Sequence, residues 1–448
     1  MPRAAVLGLG ISGLAAARLL QQRGWQVGLY DAGDGAALHQ RAAALRKEGF
    51  GITLGALYPP ERPDLAVVSP GIPWDHPVLQ TLRDRGVEVI GEVELAYRHL
   101  PCPWVGITGT NGKTTTTALT AAIFQSAGLQ APSCGNIGTP TCALALQHPA
   151  PDWAIAELSS YQIEGIVDLS PQIGIWTTLT PDHLERHGTL ERYYTVKARL
   201  LHAAKLPILN GDDPFLAHHG PGWFPHALWT STDGSNPRAI AHGAVIRDRA
   251  VYFAGEKILT LNTFNLLGDH NRQNLLLAVA AACKAGIAPA AIAQAVSAFR
   301  GVPHRLEQLG TCQQITWIND SKATNYDAAE VALRSVSAPV ILIAGGRAKA
   351  GDPGPWLAQI RAQVVHTILF GEAAPFFAQL LTECGSLPYN SVDTLASAVE
   401  GAWEHAQQFA PATILFSPAC ASFDQFANFE QRGDSFRSLC QPYLVPSQ

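Results

Sequence analysis

The sequence predicts an α/β protein of about three domains. Three observations carry that prediction. The chain has 448 residues, and an average domain takes roughly 150. Short apolar runs alternate with helical stretches from end to end, the pattern of parallel sheets wrapped by helices. Two glycine-rich turns, at 8–13 and 108–115, each stand between a strand and a helix.

The first domain is expected over 1–99, with a strand at 4–8, a helix at 11–22 and strands at 26–30, 65–69 and 87–90. Pro101-Cys102-Pro103 reads as the hinge out of it. The second domain, 100–301, opens with a strand at 104–108 and a helix at 114–127. Runs at 153–158 and 173–178 are apolar enough for strands buried on both faces. Residues 220–265 carry Gly, Pro, Trp and short β-type runs such as 250–253, which predict a small antiparallel sheet. A helix from 272 to 284 ends at Gly286. Gly301-Val302-Pro303 marks the break to the third domain, 302–448, with strands at 315–318, 340–344, 367–370 and 413–417.

Composition narrows the function. The chain is 47% hydrophobic, only 15% charged, and carries a net charge of −5. Nucleic-acid binders normally show a basic excess, and disordered chains combine few apolar residues with high net charge. Eight cysteines, none in a CxxC pair, read as scattered thiols of a reducing, cytoplasmic compartment rather than a disulfide framework or zinc site. Arg3 and Ala15-Ala16-Ala17 could flank a signal peptide, but a signal h-region needs no glycines at fixed offsets. Residues 114–151 hold no Asp, Glu, Lys or Arg but are too rich in polar residues for the ~20 apolar residues of a membrane span. The basic residues are lopsided, 23 arginines against 8 lysines, so each lysine merits inspection.

Seven motifs carry chemistry. In Gly8-Leu9-Gly10-Ile11-Ser12-Gly13 the glycines permit a tight turn and close approach of a pyrophosphate to a helix N-terminus. Asp31 ends the next strand, where an acid can meet a ribose. This pattern fits NAD, FAD, a UDP-sugar or a plain tight turn. Thr108-Gly109-Thr110-Asn111-Gly112-Lys113-Thr114-Thr115 reads as a P-loop rather than a polar helix cap: backbone N–H groups and Lys113 would cradle ATP phosphates and the Thr114 hydroxyl could bind Mg²⁺. It departs from the strict pattern because position 107 is Ile. Glu157, in Glu157-Leu158-Ser159-Ser160-Tyr161-Gln162, and Asp182-His183 both follow strands of this domain, at the sheet edge where α/β folds bind ligands. Tyr193-Tyr194-Thr195-Val196-Lys197 reads from spacing alone as a helix with a solvated lysine. Asn319 to Asn325, Gly345-Gly346-Arg347-Ala348-Lys349 and Ser417 to Phe426 all stand at strand ends of the third domain, where one ligand could touch them all. Ser422 and Gln425 have capping-box spacing, and a helix N-terminus there would welcome a carboxylate.

Together these motifs resemble the Mur ligase family, in its D-glutamate-adding branch, over essentially the whole chain. TGTNGKTT, GNIG at 135–138, ELSSYQ, PDH, the YxxxK lysine, HNRQN at 270–274, PHRLE at 303–307, NDSKATN and SPACASFDQFANFEQRG carry the resemblance. The family shares the P-loop departure. The resemblance implies a Rossmann-like N-terminal domain that binds UDP and a central P-loop ATPase domain with a parallel sheet plus a small antiparallel sheet. A Rossmann-like C-terminal domain then closes over the amino acid. It also implies ATP-dependent joining of D-glutamate to UDP-N-acetylmuramoyl-L-alanine, a cytoplasmic step of peptidoglycan precursor synthesis, by a monomer without nucleic-acid or membrane partners.

The resemblance assigns residues as well. Gly109, Thr110, Asn111, Gly112, Lys113, Thr114, Thr115, Asn271, Arg305 and Asp320 would meet ATP. Thr114 and Glu157 would support one Mg²⁺, and His183 and Lys197 a second, with Lys197 carrying a carbamate. Gly10, Ser12, Gly13, Asp31, Ser69 and Gly71 would face the UDP end, and Asn136, Ser159 and Gln162 the muramoyl-alanyl part. His183, Lys322, Thr324, Lys349, Ser422 and Phe429 would hold D-glutamate. Lys113, Glu157, His183 and Lys197 form the implied catalytic set. Asp31-Ala32-Gly33 lacks the polar and basic residues that some members place after the acid. Three rivals make distinct demands. A nicotinamide dehydrogenase would use only the first motif, a nucleotide-driven binding module would synthesise nothing, and a sister ligase would take another amino acid.

Overall fold

Apolar runs of four to six residues form the first sheet: β1 (Arg3–Leu7), β2 (Gln26–Asp31), β3 (Gly51–Leu54), β4 (Leu65–Val68) and β5 (Glu88–Gly91). This computed structural model describes residues 1–444 apart from 265, 267, 350 and 386. The strands lie in the order β3-β2-β1-β4-β5, and every pairing is parallel. The order reverses between β1 and β4, so the turn after β1 opens into the crevice where doubly wound sheets bind ligands. The sequence reading missed β3, an edge strand whose residues alternate between exposed and half-buried.

The central sheet has nine strands: β6 (Trp104–Thr108), β7 (Ser133–Gly135), β8 (Ala154–Glu157), β9 (Ile173–Trp176), β10 (Pro207–Asn210), β11 (Leu228–Ser231), β12 (Ala244–Arg247), β13 (Ala250–Phe253) and β14 (Glu256–Thr260). Their order is β14-β13-β12-β11-β10-β9-β6-β8-β7. The residues of β6, β8 and β9 are all buried, as their unbroken apolar runs require. Antiparallel pairing joins β12 to β13 and β13 to β14. Because β12 also pairs in parallel with β11, these strands extend the parallel sheet into one mixed sheet. Much of 220–243, read as β-type, instead holds β11 and the helices Pro214–Trp223 and Pro237–His242. Asp213 and Asn236 cap those helices by accepting backbone N–H bonds. The helix Asp269–Lys284 begins three residues before its expected start, and Leu275 through Ala282 are completely buried within it.

The third sheet contains β15 (Glu307–Cys312), β16 (Ile315–Asn319), β17 (Val340–Gly345), β18 (Val364–Phe370), β19 (Tyr389–Val392) and β20 (Ala412–Phe416). Its order is β15-β16-β20-β17-β18-β19, parallel except for the β15–β16 pair. This sheet belongs to one compact unit that runs from Arg300 onward, while the first two sheets and the helix Asp269–Lys284 from His270 belong to another.

Hydrogen bonds join the segment before Pro101-Cys102-Pro103 to the segment after it. Glu92 is 2% exposed and accepts bonds from the Thr141 hydroxyl (2.8 Å) and the Cys142 N–H (2.6 Å). Glu94 is buried completely; it accepts from the N–H groups of Val167 (2.8 Å) and Leu169 (3.1 Å) and pairs with Arg98 (2.9 Å). The Gly91 N–H bonds the Gly165 carbonyl at 2.8 Å. Buried carboxylates leave a steep penalty if their donors are removed, so these bonds tie the first sheet to the second. No helix among the described residues is long and apolar enough to cross a membrane.

Candidate active site

The turn after β1 is shaped by its glycines. Gly8 has φ +98°, and a Cβ on Gly13 would fall 2.0 Å from the Gly8 carbonyl oxygen. No side chain there could fit without moving backbone. The helix Ile11–Gln22 starts at Gly10 without a side-chain cap or an acid in its first turn. Its first N–H groups are therefore not capped by an acid of the helix's own first turn. Ser69 donates to the Gly8 carbonyl at 3.3 Å. Asp31 accepts from Leu9 N–H (2.7 Å) on one oxygen and Gly33 N–H (2.8 Å) on the other. It braces two loops, a task that spacing could not reveal. Ser12 is half-buried, and Gly10 and Gly71 are exposed near this turn.

The turn after β6 is tighter and more highly charged. Gly109 (φ +149°) and Gly112 (φ +83°) admit no Cβ, which would approach the Thr177 hydroxyl to 2.0 Å and the Asn274 side-chain oxygen to 2.4 Å. Thr110 N–H donates to the Thr178 carbonyl at 2.8 Å, and Asn111 N–H to the Thr178 hydroxyl at 2.9 Å. Lys113 Nζ donates to the carbonyls of Gly109 (2.9 Å) and Thr110 (2.8 Å). Thr114 and Thr115 are buried in the first turn of the helix Lys113–Ser126. Asn274 accepts from the Thr116 hydroxyl (3.1 Å) and donates to Asn271 (3.2 Å), so Asn271 is tied to the same helix end.

Lys197 overturns the solvated-lysine reading. It is 1% exposed, and its Nζ donates to the Gly109 carbonyl at 2.8 Å, the same oxygen that Lys113 uses. The Tyr193 ring centroid lies 4.6 Å from that nitrogen. Burial holds its ammonium well below the usual lysine range; nearby Lys113 adds to that, and Asp182 and Glu157 oppose it. Spacing placed Lys197 on a helix, but only the fold shows that this helix face turns inward.

Glu157 closes β8 and is 1% exposed. One carboxylate oxygen accepts from the Asn136 amide at 2.8 Å, and the other is buried without a hydrogen-bond partner among the described residues. An orphaned carboxylate oxygen near a phosphate-type turn fits a hard divalent cation such as Mg²⁺. No group of three His, Cys, Asp or Glu side chains converges as a metal cage among the described residues. Ser159 and Gln162 bond each other as a capping box at the helix Ser160–Glu164. His183 has a left-handed backbone (φ 53°), and its ring contacts Tyr161, Asp182 and Glu185.

In the second unit, Asp320 is 5% exposed and accepts from the Ser417 hydroxyl (2.9 Å) and Leu306 N–H (3.1 Å). Burial pushes its carboxyl up to about 7, against those bonds and the charges of Arg305 and Arg432. Lys349 donates to the Thr324 hydroxyl at 3.3 Å, and Lys322 Nζ lies 5.7 Å from the Phe429 ring centroid. Ser422 is buried, but the expected helix N-terminus at that residue is absent. Ala421 bridges Arg347, residues 422–428 form bends and a turn, and the helix begins at Phe429. Capping-box spacing alone does not start a helix when the following residues bond in turns. Of the residues expected to hold D-glutamate, His183 lies in the first unit and the other five in the second.

Sequence reasoning passed over Arg432. It is completely buried, donating to the Ser321 carbonyl (2.7 Å) and hydroxyl (3.1 Å). Burial brings its guanidinium down to about 10. The only signal was its place inside the SPACASFDQFANFEQRG block.

The chain matches three family descriptions in order: "Mur ligase MurD-like, N-terminal domain" over residues 2–91, "Mur ligase middle domain" over 107–282 and "Mur ligase, glutamate ligase domain" over 304–420. It is 53% identical to the UDP-N-acetylmuramoylalanine–D-glutamate ligase of Synechocystis sp., covering 98% of this chain and 99% of that one. The enzyme of the same name from Thermosynechococcus vestitus is 52% identical over 98% of this chain and 99% of its own. Among solved structures, the UDP-N-acetylmuramate–alanine ligase of Thermotoga maritima shares the fold with TM-score 0.60 at 18% identity, covering 99% of this chain and 100% of that one. The three domain matches and the full-length identity agree with the three sheets and the two glycine turns, and the chain belongs to the Mur ligase family.

Proposed function

We infer that this chain is an ATP-dependent amide-forming ligase that joins D-glutamate to UDP-N-acetylmuramoyl-L-alanine in peptidoglycan precursor synthesis. The observation that carries this reading is the pairing of Lys113 and Lys197 on one carbonyl, Gly109, close to the buried Glu157 carboxylate. In the reaction the alanyl carboxylate oxygen bonds to the γ-phosphorus of ATP as the bond to the bridging oxygen breaks, giving an acyl phosphate and ADP. The D-glutamate amine then adds to the acyl carbon, and phosphate leaves from the tetrahedral intermediate. A carboxylate and a phosphate repel, so positive charge and in-line positioning must do most of the work.

Gly109 to Thr115 would cradle the phosphates, with Lys113 turning from its own loop carbonyls toward them. Asn271, Arg305 and Asp320 would complete the ATP contacts. Thr114 and Glu157 would hold one Mg²⁺, and His183 and Lys197 a second. Bound Mg²⁺ neutralises phosphate charge and orients the reacting oxygens. The depressed lysine supports a carbamate at Lys197: a free amine adds CO₂, an N–C bond forms and one proton is released. That converts a cation into the oxygen ligand that Mg²⁺ prefers.

Gly10, Ser12, Gly13, Asp31, Ser69 and Gly71 would meet the UDP end, Asp31 by holding the Leu9 and Gly33 loops. Asn136, Ser159 and Gln162 would face the muramoyl-alanyl part. Lys322, Lys349 and Ser422 would receive the carboxylates of D-glutamate, beside Thr324, Phe429 and His183. We assign the working domains to 1–99, 100–301 and 302–448, and the enzyme to a cytoplasmic monomer. The test is phosphate release from ATP. It should require both UDP-N-acetylmuramoyl-L-alanine and D-glutamate; release that ignores D-glutamate, or follows another amino acid instead, overturns the reading.

A further inference from the structure

Arg186 has no part in the proposed reaction, yet it is well enclosed. The side chains of Arg186 and Glu164 are only 11% and 12% exposed. One nitrogen of the guanidinium, Nη2, donates both to the Glu164 carboxylate (2.6 Å) and to the Ile72 carbonyl (3.0 Å). The guanidinium carbon also lies 4.7 Å from the Tyr161 ring centroid, a cation–π distance. Tyr161 and Glu164 belong to the helix Ser160–Glu164, which follows β8 of the second sheet. Ile72 belongs to the loop that follows β4 of the first sheet. A single nitrogen therefore bridges the two sheets' ligand-side loops.

Both ends of the bridge lead to residues expected to meet the UDP substrate. Ile72 N–H donates to the Ser69 carbonyl (3.0 Å), and Ser69 N–H donates to the Leu7 carbonyl (2.9 Å) beside the glycine turn. On the other side, Ser159 caps the helix that carries Gln162. The residue after that helix, Gly165, packs so closely on Gly91 that a Cβ there would fall 2.7 Å from the Gly91 Cα. That backbone contact is one point of attachment, and the Arg186 bridge is a second. Two points fix an orientation that one leaves free to turn. Charge-assisted bonds screened from water are the strong kind for this task.

We propose that Arg186 is a positioning residue for the nucleotide-sugar substrate: its guanidinium sets the spacing between the Ser69–Gly71 loop, which would face the UDP end, and Ser159 and Gln162, which would face the muramoyl-alanyl part. A ligand that spans both subsites gains from a distance fixed in advance. UDP alone would occupy only the first subsite and gains nothing from the bridge. The inference rests on the assignment of the turn after β1 to the UDP end.

Arg186→Met alone would strand the Glu164 charge, so it is made together with Glu164→Gln. Glu164→Gln by itself keeps an oxygen for Arg186 to bond and serves as the reference. Relative to that reference, the double variant should raise the KM for UDP-N-acetylmuramoyl-L-alanine about 10-fold, the loss expected for one charge-assisted hydrogen bond. The KM for ATP and kcat should not change. Calorimetric titration of the same full-length proteins with UDP should give Kd values within about twofold of each other. An unchanged KM overturns the role. So does a UDP Kd that rises in step with KM, because Arg186 would then merely support the first turn or the fold. Failure of the parent protein to bind UDP would instead overturn the assignment of that turn, so the two failures are distinguishable.

Discussion

The turn after β1 and the turn after β6 share a backbone plan. Each leaves a largely buried parallel strand, passes through positive φ at glycine (Gly8 in the first, Gly109 and Gly112 in the second) and enters a helix without a side-chain cap. Their surroundings differ. The first turn is braced by hydroxyl and carboxylate bonds from Ser69 and Asp31, and no cation enters it in these contacts. The second receives two lysines on one carbonyl and has a buried acid at the neighbouring strand end. On the proposed function, the difference separates a turn that would hold an anion from one that would react it. Backbone N–H groups and a helix end suffice to hold a diphosphate. Moving a phosphoryl group requires charge that can be concentrated, shielded from water and matched to the transition state.

The largest expected effect tests that contrast directly. Lys113→Ala removes charge from the second turn only, and kcat should fall roughly 1,000-fold, ~4 kcal/mol of transition-state stabilisation. Near-normal kcat in a steady-state assay would erase the distinction between the turns. Lys197→Ala should cost roughly 100-fold, ~3 kcal/mol. Added short carboxylates should restore part of the loss by standing in for the carbamate. Loss without rescue would leave Lys197 as a buried structural amine.

In the first turn the expected penalties fall on stability and binding rather than chemistry. Gly13→Ala forces a methyl against the Gly8 carbonyl and should destabilise the fold by about 2–3 kcal/mol, read from the denaturant midpoint. An unchanged midpoint would mean that the helix can shift away from β1. Asp31→Asn keeps the shape but weakens the bonds to Leu9 and Gly33. It should cost about 1 kcal/mol, seen as a raised KM for the UDP substrate with kcat unchanged. A fall in kcat alone would move Asp31 into the chemistry and blur the comparison.

Much of the fold was legible because it rests on local patterns. β1, β6, β17 and β20 are continuous apolar runs, and Gly8, Gly109 and Gly112 occupy conformations that glycine favours. Strands that escaped notice, among them β3, β7, β10, β15 and β19, are short or only partly buried and depend on neighbouring strands for their pairing. The turn that carries Lys113 and Thr114 was legible for a similar reason: two glycines with positive φ follow β6 and open the helix Lys113–Ser126.

Other parts of the site depend on burial, which is a property of the packed chain. From its spacing, Lys197 could be solvated or catalytic; only the packing of its helix face removes water and lowers its ammonium. Glu157 is an acid at a strand end in the sequence, and the tertiary structure adds that one of its oxygens has no hydrogen-bond partner among the described residues. Glu92, Glu94 and Arg432 carried no motif of their own, although desolvation makes their bonds costly to break. By itself the sequence determined the strand–turn–helix units and the identity of the groups they carry, because those follow from local sterics and periodicity. Only the tertiary structure decided which charges are shielded and which partners they meet, because desolvation and hydrogen bonding join residues far apart in the chain.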